Sequence, residues 1–163
     1  MFPGDIAAAA RSLIDEARAA GLTLTTAESC TGGLVAAAIC SIPGASDVFH
    51  RGVVTYANDA KTQMLGVPEA LLAAHGAVSE PVARAMAAGA LAASGADLAV
   101  AVTGIAGPGG GSADKPVGTV HFCVVGRGFS EHRHAVFANQ DRAEVQLAAV
   151  STALEMLRGA MRG

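Results

Sequence analysis

Leu22-Thr23-Leu24-Thr25-Thr26-Ala27-Glu28-Ser29-Cys30-Thr31-Gly32-Gly33-Leu34-Val35-Ala36-Ala37-Ala38-Ile39 runs from β-prone residues, through a serine and two glycines, into an alanine-rich stretch without a breaker. The pattern is strand, sharp turn, helix, with the strand over Leu22–Ala27 and the helix reaching about Cys40. On such a turn the Ser29 hydroxyl is exposed, and the backbone N–H groups of Thr31, Gly32 and Gly33 point at whatever lies in front of the helix. That layout suits a nucleophile beside an oxyanion site. The spelling is not G-x-S-x-G, and a serine N-cap followed by the glycines of a tight turn accounts for the same residues.

Outward from this unit the chain alternates helices and strands. Asp5 caps a first helix whose apolar stripe is Ile6, Ala10, Leu13, Ala17 and Ala20, and Gly21 ends it. After Ile42-Pro43-Gly44, Gly52-Val53-Val54-Thr55-Tyr56 reads as a buried strand. Asn58 caps a short helix closed by Gly66, Pro68 opens another that stops at Gly76, and Ser79 caps a long one to about Ser94. Leu98-Ala99-Val100-Ala101-Val102 is an apolar run suited to a central strand covered on both faces. The segments 118–125 and 129–137 alternate around Gly126-Arg127-Gly128 as a hairpin, and a last helix starts at Asn139 or Asp141. These elements predict a three-layer α/β/α sandwich with a mixed, mostly parallel sheet, as a single domain over residues 1–163.

Composition narrows the function. The net charge is −3 and no basic run occurs, which argues against nucleic acid as a partner. Three cysteines, Cys30, Cys40 and Cys123, form no C-x-x-C pair and point to a reduced, cytoplasmic protein. No charged start followed by a long apolar run occurs, so a signal peptide is not expected, and no apolar run is long enough for a membrane span.

The second strong feature is the loop Gly104-Ile105-Ala106-Gly107-Pro108-Gly109-Gly110-Gly111-Ser112-Ala113-Asp114-Lys115-Pro116. It leaves the central strand where open α/β sheets place their ligands, and its glycines let backbone amides approach an anion. It is neither a Walker A loop nor a dinucleotide fingerprint, and a flexible surface loop is the plainer alternative. It shares the Ser29 edge of the sheet, because both follow strands of βα units.

No Asp/His pair announces a triad around Ser29. Lys61, in the first turns of the helix after Tyr56-Ala57-Asn58, could act as a general base if an apolar pocket strips the solvation from its charge. On a short helix it could equally be a solvated residue. Tyr56, the only tyrosine, could lend its hydroxyl to the same site or merely pack at its rim. Cys30 is a rival nucleophile whose side chain should point away from that of Ser29. His132 and His134 share one face of a strand and would permit a metal, but no third ligand is suggested and a structural role is the plainer one.

Several ordered blocks carry a resemblance: Thr25 to Gly33; Gly52-Val53-Val54-Thr55-Tyr56-Ala57-Asn58 with Lys61 and Leu65-Gly66-Val67; and His75-Gly76-Ala77-Val78-Ser79-Glu80. Val102-Thr103-Gly104-Ile105-Ala106-Gly107-Pro108-Gly109-Gly110 and Lys115-Pro116-Val117-Gly118-Thr119-Val120 extend it over nearly the whole chain. The sequence resembles the CinA C-terminal domain family. Members of that family that act alone are nicotinamide mononucleotide (NMN) amidohydrolases, which release ammonia and nicotinic acid mononucleotide. The resemblance implies Ser29 as nucleophile, Lys61 as its base and Tyr56 as a neighbour. It implies ligand contacts from Thr103, Gly104, Gly107, Gly109 and Gly110, with no metal and no cofactor. Arg142 would hold a phosphate or carboxylate at the start of the last helix. A homodimer is a further expectation from the family. The pattern departs at Gln146, where a second arginine is common, and the missing charge should weaken binding of a phosphorylated substrate. A nucleotide-binding regulatory module without catalysis, or an amidase acting on a related compound, are the alternative functions.

Overall fold

The computed structural model describes residues 1–163. The stretch around Ser29 folds as strand β1 (Leu24–Glu28), a turn, and helix α2 (Leu34–Cys40). Before it stands α1 (Gly4–Ala20), which Gly21 ends in a left-handed conformation. Leu22 is drawn into that helix end, its N–H bonding to Ala17 O, so the strand begins two residues later than its apolar pattern implies. Next come β2 (Phe49–Val54), α3 (Asn58–Leu65), α4 (Glu69–His75), α5 (Glu80–Ser94), β3 (Leu98–Gly104), β4 (Thr119–Gly126), β5 (Phe129–Val136) and α6 (Arg142–Arg162).

The strands form one sheet in the order β2-β1-β3-β4-β5. β1 is parallel to β2 and β3, whereas β4 is antiparallel to both β3 and β5. Four strands therefore run one way and β4 alone runs the other. One face carries α1, α2 and α6 over a core that includes Leu13, Ile39, Phe122, Leu154 and Leu157. The other carries α3, α4 and α5 over Val82, Met86, Ala99 and Ala101. The result is a three-layer α/β/α sandwich. β3 lies in the middle, and its residues from Leu98 to Thr103 are all buried, as its apolar run predicts.

The segment expected as a buried strand lies differently. β2 spans Phe49–Val54 and is an edge strand paired only with β1, so most of its residues are exposed or half-buried. Thr55 beyond it is buried, while Tyr56 is 58% exposed. The caps shift too. Pro3 and Ala57 precede α1 and α3, leaving Asp5 and Asn58 within the first turns. α6 begins at a capping box in which Asp141 accepts from the Glu144 N–H and Glu144 accepts from the Asp141 N–H.

Parallel strands β1 and β3 send their C-terminal ends to the same edge, with α2 and the loop 105–118 leaving there. The site is built at that edge.

Candidate active site

Ser29 sits in the β1–α2 turn and is held by the backbone on both sides. Its N–H donates to Val102 O of β3 at 2.9 Å, and its carbonyl accepts from Gly32 N–H at 3.0 Å. Gly32 and Gly33 take φ values of 58° and 98°, a left-handed pair that an L side chain would strain. The turn leaves Ser29 Oγ facing Lys61, whose Nζ lies 3.0 Å away.

Lys61 is 1% exposed despite sitting on a two-turn helix at an edge of the fold. Its Nζ donates to Thr55 O at 2.8 Å and reaches Tyr56 O at 3.4 Å. Burial pushes its pKa below the usual lysine value. A neutral amine has two N–H donors and one lone pair. With the two carbonyls taking the N–H groups, the lone pair is left for the Ser29 hydroxyl proton. This geometry matches that of a general base.

Tyr56 and Arg142 form more of the wall. The Arg142 guanidinium, at the start of α6, donates to Tyr56 OH and to Gly107 O, the latter at 2.7 Å. One cation thus joins the β2–α3 connection to the glycine loop. Thr103 Oγ1 donates to Ala77 O at 2.9 Å, fastening β3 to the segment before α5. The cleft between these walls has a volume of about 260 Å³ and contains no carboxylate among its lining residues. Ser29, Tyr56, Lys61, Thr103, Gly104, Gly107, Gly109, Gly110 and Arg142 all line it.

Thr31, Gly32 and Gly33 do not line it. Gly32 N–H turns back to Ser29 O, and the start of the helix is held by Glu28, a fully buried carboxylate absent from the sequence-based site. Its Oε1 accepts from Thr31 Oγ1 at 2.7 Å and Val35 N–H at 2.8 Å, and its Oε2 accepts from Ala36 N–H at 3.0 Å. The N-terminus of α2 is thereby occupied by an internal anion, and its first-turn amides are not offered to a ligand. Cys30, Ala106 and Gly107, by contrast, line the cleft, and their N–H groups have no backbone acceptor. The signal for Glu28 was its position: an acid at the end of a buried strand, directly before a helix.

Asn58 also lines the cleft. It sits one helical turn before Lys61, and its amide makes no hydrogen bond within the chain. Cys30 also lines the cleft, but its thiol is buried and its pKa is pushed up to about 12, mainly by desolvation, which favours the protonated, poorly nucleophilic form.

The two strand histidines acquire a third partner through the sheet register. His121 of β4 lies opposite His134 and beside Thr103. Its ring stacks on that of His134 at 4.5 Å and 7°, and its Nδ1 lies 2.9 Å from His132 Nε2. Ring-nitrogen lone pairs lie in the ring planes, so nearly parallel stacked rings do not aim at a shared ion. No His, Cys, Asp or Glu cluster in the chain is arranged to hold a metal.

Comparison with known proteins supplies the relationship. The chain is 55% identical over 141 residues to a CinA-like protein of Akkermansia muciniphila, covering 86% of this chain and 34% of that one. It is 51% identical over 158 residues to a CinA-like protein of Mycolicibacterium gilvum, covering 93% of this chain and 37% of that one. The chain thus spans about a third of the length of these relatives. Among solved structures, the competence/damage inducible protein CihA from Agrobacterium tumefaciens superposes with a TM-score of 0.97 at 52% identity, over 100% of this chain and 99% of that one. The competence damage-inducible protein A (ComA) from Klebsiella pneumoniae gives 0.92 at 41%, over 96% and 97%. Residues 6–161 match the family described as the CinA C-terminal domain, and the chain belongs to that family.

Proposed function

We propose that this chain hydrolyses the carboxamide of NMN to nicotinic acid mononucleotide and ammonia, with Ser29 as nucleophile and Lys61 as base. One observation carries the reading: a lysine 1% exposed, its Nζ 3.0 Å from a serine Oγ at the wall of a cleft. Neutral Lys61 takes the Ser29 proton as Oγ attacks the carboxamide carbon. Amides of Cys30 and Gly107 are the donors available to the tetrahedral oxyanion, each worth about 3 kcal/mol in such a role. Protonated Lys61 then gives its proton to the departing nitrogen. The C–N bond breaks, ammonia leaves, and an ester on Ser29 remains. Water, deprotonated by the same lysine, cleaves the ester and restores Ser29.

The walls suit the rest of the substrate. The N–H groups that Arg142 keeps beyond its bonds to Gly107 and Tyr56, together with the amides of Gly109 and Gly110, can hold the 5′-phosphate. Asn58 is free to accept from the carboxamide N–H. The absence of a carboxylate in the lining suits an anionic ligand. The three cysteines are free thiols, consistent with work in a reducing cytoplasm.

The test is ammonia release from NMN by EDTA-treated protein, with Ser29→Ala alongside. Release by the parent protein and its loss in the variant are expected. Equal release by both would remove Ser29 as nucleophile. Binding of NMN with no release would place the chain among non-catalytic nucleotide modules, and release only from another amide would move the substrate.

A further inference from the structure

Gln146 stands where the resemblance leads one to expect a second arginine. The side chain is not part of the cleft lining. Its Nε2 instead donates to Cys30 O at 2.9 Å, across 116 residues of chain. That carbonyl belongs to the peptide that follows Cys30, next to the nucleophile.

Hydrogen bonds hold the backbone of the Ser29 turn at several points. β3 holds the Ser29 N–H through Val102 O, and the turn holds itself through Gly32 N–H to Ser29 O. Glu28 holds the Thr31 hydroxyl. Only Gln146 reaches the turn from α6. The same helix carries Arg142 one turn earlier, and residues four apart share a helix face. Arg142 grips Gly107 and Tyr56. One face of α6 therefore ties the Ser29 turn to the glycine loop and to Tyr56.

We propose that Gln146 is a positioning residue for Ser29: its bond to Cys30 O fixes the Cys30–Thr31 peptide, one residue past the nucleophile, and registers Ser29 against Arg142. The peptide group is planar, so pinning its oxygen fixes the direction of the whole unit. Through Cys30 this restrains the N–H available to an oxyanion and the backbone that carries Oγ. Errors of about 1 Å in such placement cost up to about 10²-fold in rate. Position 146 thus acts on the chemical step. The proposal rests on Ser29 being the nucleophile of the proposed reaction.

The test compares Gln146→Met, which keeps length but loses the donor, with Gln146→Lys, which restores one. Three quantities are read: kcat and KM for NMN, the rate at which a fluorophosphonate labels Ser29, and the melting temperature. The expected result for the Met variant is a roughly 10-fold loss in kcat with KM changed less than about twofold, and an equal loss in labelling rate. The Lys variant should recover most of both. A Met variant with unchanged kcat and labelling overturns the proposal. So does a rise in KM alone, which would mark a substrate-binding side chain. A loss that merely follows a fallen melting temperature and is not rescued by lysine also overturns it. Parent protein labelled on Ser29 yet inert towards NMN would remove the substrate reading, while the labelling rates still decide Gln146. Parent protein that resists both removes both.

Discussion

Lys61 and Glu28 show how burial gives two charged residues opposite tasks. Lys61 meets two carbonyls and a hydroxyl, and desolvation lowers its pKa, so the base form becomes populated at lower pH than for a free lysine. Glu28 meets only donors, and its carboxylate holds the start of α2 with three hydrogen bonds. Replacing Glu28 by glutamine turns one acceptor into a donor facing another donor. We expect Glu28→Gln to lose about 1–3 kcal/mol of stability, measured by urea denaturation, and to slow turnover because the Ser29 turn is built on it. Unchanged stability would contradict this. At this scale the sequence displayed the residue types but not their partners. Lys61 on a two-turn helix looks solvated until the fold buries it. Gln146 and Cys30, 116 residues apart, could not be paired from one chain.

The elements owe their packing to a few small residues. Gly89 of α5 crosses the end of α3, where an added Cβ would run into the Leu65 carbonyl. α3 also carries Lys61. Gly89→Ala should therefore cost roughly 1–3 kcal/mol by forcing two helices apart, and should lower kcat with it. Gly159 of α6 has open space around its would-be Cβ, so Gly159→Ala should instead stabilise by about 0.5–1 kcal/mol through helix propensity alone. Thermal melts of the two variants check the contrast, and equal shifts would contradict it. Elements with strong punctuation were legible in the sequence: the glycines after β1, the hairpin at 126–128, and the apolar run of β3. β2 was misjudged, because Gly52-Val53-Val54-Thr55-Tyr56 has the composition of a buried strand, while edge or centre is decided by pairing. The histidine stack was half legible. Two members lie on one strand, but the third arrives only through the β4–β5 register.

Across the whole molecule, three layers converge on one edge of the sheet, and the histidine stack lies on β4 and β5 beside Thr103. His121 has its pKa pushed down to about 4, first by burial and then by His134, His132 and Lys115, with Glu80 opposing; Arg84 and Glu80 face His132. A folded-state value below the unfolded one means that the unfolded chain binds the extra proton first. This contribution is constant above the ordinary histidine value near pH 6.5 and destabilises progressively as pH falls from there towards about 4. The melting temperature should drop over that window, and His121→Phe should flatten the drop; an unaltered slope would contradict the assignment. No helix is long and apolar enough to cross a membrane. The general architecture was legible because alternating helices and strands leave few arrangements. The cleft was legible only in part, since Thr31, Gly32 and Gly33, first assigned to it, do not line it. The central claim is that a buried neutral lysine activates Ser29, and its most direct test is kcat/KM for ammonia release from NMN against pH, with Lys61→Met alongside. The account predicts a rate that rises with pH through an ionisation below 10.5 and a loss of about 10²–10⁴-fold in the variant. A Lys61→Met protein that turns over at the parent rate would contradict it.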